Sequence, residues 1–151
     1  MKRWIVCAGF LALVVGGGLT IGAATAPGQW YAQLAKPPFN PPGYLFGPVW
    51  TVLYVLIAVA GWRTWERRGL TSMRLWWAQL ALNFAWSPAF FAAHRIGIAL
   101  IIVLLLLGTI GAFIALSCRY DRLSAWLFVP YAAWVAFAAG LNASIYWLNQ
   151  V

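Results

Sequence analysis

The side chains able to do chemistry are few. The chain has one histidine, His94, two cysteines, Cys7 and Cys118, and two acidic residues, Glu66 and Asp121. A zinc or di-iron centre draws several nitrogen, sulfur or carboxylate ligands together, and this inventory cannot furnish one, so no metal site is expected. Antiport driven by protonation needs a carboxylate inside the membrane, whereas Glu66 and Asp121 both fall in loops. A hydrolytic Ser/His/Asp group would have to join His94 to Asp121, which the topology below puts on opposite sides of the bilayer. His94 reads better as an interfacial polar cap on its helix than as a haem ligand.

Tryptophan is the positive signal, with 11 in 151 residues. Interfacial belts account for Trp4, Trp62, Trp65, Trp76, Trp77, Trp126 and Trp147, which fall near helix ends. They do not account for Trp86 and Trp134, well inside apolar runs, or for Trp50, one turn below the start of another. Gln79, Asn83, Trp86, Ser87 and Phe90 recur at the three- and four-residue spacing of one helical face. Tyr131, Trp134, Ala138 and Asn142 do the same further along. Polar groups on such stripes must point inward. They either bond between helices, at about 0.6 to 2 kcal/mol each, or serve as the polar handles of an apolar pocket. Indoles beside Asn and Ser suit a large, flat, mostly apolar ligand whose faces stack while the amides orient its edge. A second stripe, Ala81, Ala85, Ala89 and Ala93, permits close helix packing. A homodimer seam is its preferred reading over an internal contact.

The elements that hold these residues follow from composition. Hydrophobic residues make up 64% of the chain and charged residues 8%, against roughly 25% charged in a soluble domain. Charges divide the sequence into five apolar runs, each supplying the roughly 20 residues that cross hydrocarbon. The expectation is an all-α membrane protein in one domain, 1–151, with helices at 4–26, 48–65, 75–94, 96–118 and 124–148. The first run could also be a cleaved signal peptide, but it is long for one and Pro27 follows the candidate site badly, so it is kept as a helix. Its Gly16-Gly17-Gly18 run would admit a close neighbour. Between the first two helices, 27–47 is rich in proline and aromatic residues, and Pro37-Pro38 and Pro41-Pro42 hold it extended. It is expected to act as a lid over the pocket. Pro48 suits the first turn of a helix, Gly69 the next turn, and Pro130 should kink the last helix. The run 96–118, nearly all Leu, Ile, Val and Ala, is expected to face lipid.

Eight of the ten basic residues (Lys2, Arg3, Arg63, Arg67, Arg68, Arg74, Arg119, Arg122) fall on one side of this topology, and Lys36 and Arg95 on the other. The amino terminus should therefore be cytoplasmic and the carboxyl terminus outside. Both cysteines then lie near cytoplasmic helix ends, where thiols stay reduced. The net charge of +8 is scattered rather than clustered, which argues against nucleic acid as a partner.

Taken together, these residues resemble the TspO/MBR family of tryptophan-rich sensory proteins, also called translocator or peripheral benzodiazepine receptor proteins. Trp30-Tyr31, Leu34, Lys36-Pro37, Phe39, Pro41-Pro42, Pro48, Trp50-Thr51 and Leu53-Tyr54 are similar to the family's first loop and second helix. Gln79-Leu80, Leu82-Asn83, Trp86 and Phe90-Phe91 resemble its third helix, and Trp126, Val129-Pro130-Tyr131, Trp134, Phe137-Ala138 and Leu141-Asn142 its fifth. The resemblance implies a five-helix bundle, often a homodimer, in a bacterial inner membrane. It implies a receptor or transporter-like protein that binds protoporphyrin IX and other porphyrins, or drug-like isoquinolines and benzodiazepines, and requires no cofactor. The ligand-binding residues it implies are Tyr31, Pro41, Phe46, Trp50, Tyr54, Asn83, Ser87, Phe90, Trp134 and Ala138, to which the stripes add Trp86 and Asn142. Some family members promote light- and oxygen-dependent porphyrin breakdown, in which Trp50 and Trp134 would be the catalytic pair. A stress- or oxygen-sensing scaffold is a third reading. Two positions depart from the pattern. Tyr146 is not followed by the Lys or Arg of the animal cholesterol motif, itself a weak pattern, and Ser87 is shorter than the amide of some relatives.

Overall fold

Residues whose backbones must satisfy their own hydrogen bonds in an apolar solvent have the helix as their simplest solution, and the described residues form helices and no strands. The computed structural model describes residues 2–150; Met1 and Val151, the two ends of the 1–151 domain, lie outside the described residues. Among the described residues, four helical stretches are long and apolar enough to cross a membrane by length and composition: Lys2–Ala24, Gly43–Glu66, Ile96–Tyr120 and Arg122–Leu148. The first comprises α1 (Lys2–Leu11), a π-helical turn (Ala12–Gly16) and α2 (Gly17–Ala24). A short α3 (Gln29–Gln33) follows, and a 3-10 turn leads into α4 (Phe46–Glu66). Pro48 stands in the first turn of α4, where its missing N–H costs no hydrogen bond.

The run expected as one helix over 75–94 is built differently. α5 (Leu70–Ser87) starts earlier and includes Arg74, and at Pro88 the chain widens into a π-helical turn, Pro88–Ala92. Proline has no amide hydrogen to offer the preceding turn, and the Ala93 amide bonds back five residues to Pro88 O at 2.8 Å. His94 takes φ 55°, the left-handed residue at which the helix closes as the Arg95 amide bonds back to Ala89 O at 2.9 Å, and its ring stacks on Trp30 of the first loop, ring centroids 4.1 Å apart. At the other end of α5 the left-handed residue is Arg68, φ 53°, and not Gly69.

α6 (Ile96–Tyr120) and α7 (Arg122–Leu148) pack along their length. On α6 one face, Ala99, Val103, Leu106, Ile110, Phe113 and Ser117, is buried, while Ile98, Ile101, Leu104 and Leu105 stay exposed. α7 also packs on α4, and α5 on α6, whereas α1 lies against α4 and α2 leans toward α5. α7 remains helical through Pro130. The glycine run does seat neighbours closely, but they are aromatic rings: a Cβ on Gly17 would stand 2.9 Å from Phe84, and one on Gly18 would collide with Tyr54. Trp76 corrects the interfacial assignment. It is fully buried, fitted against Gly61, and donates its indole N–H to Ile57 O at 2.9 Å.

The two acidic side chains gather the loops at one end. Arg3 Nε reaches Glu66 Oε2 at 2.6 Å. Arg63 donates through Nε and Nη2 to the two oxygens of Asp121, at 3.1 and 2.8 Å, and Ser124 Oγ adds a third bond at 2.6 Å. Arg67 Nε lies 3.2 Å from the same carboxylate. Burial alone would raise the Asp121 pKa, but the bonds from Arg63 and Ser124 and the charges of Arg63 and Arg67 outweigh it and hold the carboxyl below its ordinary value.

Candidate functional site

At the opposite end the helices diverge around a cavity of about 710 Å³, within the range that buries most of a drug-sized ligand. α4 contributes Phe46, Trp50 and Tyr54, four residues apart on one face. α5 contributes Asn83, Trp86 and Ser87, and the π-helical turn then swings both Phe90 and Phe91 to the same side. α7 contributes Trp134, Ala138 and Asn142, and the chain after α2 adds Tyr31 and Pro41. The twelve residues singled out in the sequence thus surround one space, although they come from four separate stretches of chain.

The wall is largely aromatic. Trp50 lies 5.3 Å from Tyr54 between ring centroids, Phe46 meets Trp134 edge-on at 5.9 Å, and Trp86 stacks on Phe90 at 5.5 Å. Tyr31 adds its edge to Phe90 and Phe91. These offset and edge-to-face pairs hold each other's planes, so the rings present fixed faces to the cavity.

The polar groups divide between the two roles the stripes allowed. Tyr131 is a fully buried hub outside the cavity: its hydroxyl accepts from Asn83 Nδ2 at 2.8 Å and donates to Gln79 Oε1 at 2.9 Å. Asn142 accepts from Trp86 Nε1 at 3.1 Å and donates to Ile96 O at 3.1 Å. Gln79 therefore acts between helices only, whereas Asn83 and Asn142 do both, fastening helices while lining the cavity. Among the described residues, Asn83 Oδ1 has only the long 3.5 Å approach of the Tyr54 hydroxyl. Ser87 shares a 2.6 Å hydrogen bond with Thr25, joining α5 to the end of α2.

Spacing had not pointed to Thr25, Lys36, Asn40, Phe91, Phe137 or Leu141, which also line the cavity. Phe91 faces inward because of the π-helical turn, and Pro88 was its one visible sign. Lys36 and Asn40 lie in irregular chain, where no period assigns a face. That chain is held by its own contacts. Tyr31 donates to Asn40 Oδ1 at 3.1 Å, burial raises the pKa of its phenol above the ordinary 10.0, and Phe39 meets Phe137 edge-on. Asn149, beyond α7, accepts from Ala35 N at 3.0 Å and donates to Ala35 O at 2.9 Å.

The alanine stripe is split by the same π-helical turn. Ala81 and Ala85 are exposed on α5, whereas Ala89 packs beside the buried cluster of Phe90, Ala99, Leu141 and Ile145.

An aromatic chamber with amides at intervals is suited to holding a flat apolar molecule, and the chain that builds it is similar to known proteins. A model of the TspO/MBR family matches residues 10–148. A translocator protein of Bos taurus is 36% identical over 157 residues, covering 98% of this chain and 92% of its own. A tryptophan-rich sensory protein of Cereibacter sphaeroides is 36% identical over 147 residues, covering 97% and 92%. The protein CrtK of Rhodobacter capsulatus is 36% identical over 133 residues, covering 85% and 83%.

Proposed function

The chain belongs to the TspO/MBR family and is a multi-pass membrane protein, and from that premise we propose that its cavity binds porphyrins, protoporphyrin IX foremost, and similar flat hydrophobic molecules. The observation that carries the reading is the aromatic cavity of about 710 Å³ itself, with Trp50, Trp86 and Trp134 on three different walls. In this reading Leu70–Ala92 is the third of five spans, with Gln79 and Asn83 turned away from lipid. Residues 27–47 serve as the lid, fastened at Ala35 by Asn149. The end that holds Arg3, Arg63 and Arg67 faces the cytoplasm of a bacterial cell, which puts the cavity in the outer half of the inner membrane. Ala81 and Ala85, exposed on α5, offer a smooth strip on which a second copy can pack, with Ala89 at its edge.

Quenching of tryptophan fluorescence by protoporphyrin IX in the dark tests the binding. Saturable quenching weakened by both Trp134→Phe and Asn83→Leu is expected; quenching that never saturates would reduce the polar stripe to glue between helices.

A second reading, light- and oxygen-dependent porphyrin breakdown, is favoured by one observation, that Trp50 and Trp134 both line the same cavity. Trp50→Phe and Trp134→Phe should then each abolish product formation under illumination while dark binding persists. Unchanged turnover in both variants would dismiss it.

A further inference from the structure

Among the described residues that line the cavity, Lys36 alone carries a charge. Its ammonium is held rather than loose: Nζ donates to Leu34 O at 3.0 Å and Ala32 O at 3.2 Å and stands 4.6 Å from the centroid of the Tyr31 ring. An ammonium has three protons to give, so one N–H is left with no acceptor among the described residues. Nor do those residues supply a countercharge. The chain's only acidic side chains, Glu66 and Asp121, are engaged at the far end of the bundle by Arg3 and by Arg63 and Arg67. The remaining cations do not line the cavity. A half-buried cation, held in place with a spare donor beside an apolar chamber, favours an oxyanion, because a charge-assisted hydrogen bond is stronger than a neutral one.

We propose that Lys36 forms an anion subsite at the rim of the cavity, and that the ligand is a flat apolar body bearing a carboxylate or equivalent oxyanion on the edge that meets Nζ. The aromatic walls take the body, and the lysine fixes which way round it enters. Tyr31, with its ring beneath the ammonium and its hydroxyl tied to Asn40, is a positioning residue for it. The inference rests on the cavity being a ligand site. It adds a charge requirement that apolar walls alone would not impose.

The test compares protoporphyrin IX, which carries two carboxylates, with its dimethyl ester, by dark fluorescence quenching of the whole protein in phosphatidylcholine nanodiscs. Wild type should bind the acid roughly tenfold or more tightly than the ester, the size expected of one hydrogen bond to a charged group. Lys36→Met keeps the apolar stem over Tyr31 and removes the charge. It should bind acid and ester alike, near the wild-type ester affinity, and Lys36→Arg should restore the preference. Repeating the comparison in phosphatidylglycerol nanodiscs separates the sources of the oxyanion. A preference lost only there would assign the subsite to a lipid phosphate, and one kept in both lipids would assign it to the ligand's own carboxylate. An equal wild-type affinity for acid and ester in phosphatidylcholine, or an unchanged preference in Lys36→Met, would overturn the subsite. So would Lys36→Met weakening acid and ester by the same factor, since the lysine would then act only by holding the loop. Failure of wild type to bind either compound would instead remove the cavity reading, and the subsite with it.

Discussion

The indole nitrogen of Trp86 donates to Asn142 Oδ1 across 3.1 Å, and Asn142 passes its own N–H to Ile96 O, so one amide joins α5, α7 and the start of α6. Asn142 is almost fully buried, and removing its donor would leave its side-chain oxygen without a protein partner. Trp86→Phe should therefore cost about 1 kcal/mol, and a double-mutant cycle with Asn142→Leu should return a coupling of about 0.6 to 1.7 kcal/mol. Thermal unfolding in detergent measures both. Additive single effects would show that the pair is incidental.

Acid should loosen the opposite end of the bundle. Asp121 has a lowered pKa when folded, so the folded protein takes up its proton less readily than the unfolded chain does. The stabilisation is complete above the ordinary carboxylate value of 3.8 and is lost as pH falls through the lower folded value. The melting temperature should fall as pH drops below about 5, and Asp121→Asn should flatten that slope while lowering stability at neutral pH. An unaltered slope in the variant would dismiss Asp121 as its source.

Two glycines should respond in opposite directions to alanine. A methyl at Gly61 would run into the Trp76 indole, which is fixed by its bond to Ile57 O, so Gly61→Ala should cost about 1–3 kcal/mol. On α6, a methyl added at Gly108 would meet nothing within 4 Å, and Gly108→Ala should gain up to about 1 kcal/mol in helix propensity. Melting temperatures of the two variants give the comparison directly.

Asn149→Ala removes both bonds to Ala35. With each worth about 1 kcal/mol, opening of the segment should become roughly tenfold or more frequent. Hydrogen exchange at the Ala32, Leu34 and Asn40 amides, whose bonds lie within the segment and survive the substitution, reads this without any ligand, and faster porphyrin release should accompany it. Protection equal to wild type would mean that the aromatic contacts, Trp30 on His94 above all, hold the segment by themselves.

By itself the sequence determined the helices and the faces they turn inward. Apolar runs in hydrocarbon must bond their own backbones, and a helix repeats its side chains every 3.6 residues, so Asn83, Trp86, Asn142 and Trp134 could be assigned to inner faces from spacing alone. Their partners were beyond its reach. Periodicity says which side of a helix is buried and nothing of what lies opposite, and the decisive bonds join residues 48, 52 and 56 positions apart. Only the tertiary structure decided that Gln79 would be spent between helices while Asn83 also faced the cavity. Trp76 looked interfacial because it stands near a helix end, yet Gly61 on α4 leaves the space that buries it. Pro88 was visible as a residue without an amide hydrogen, but packing selected the π-helical turn that brings Phe90 and Phe91 round together. Lys36 sat in chain with no period at all, and its place at the cavity was settled by two carbonyls and an aromatic ring that hold its ammonium at the rim.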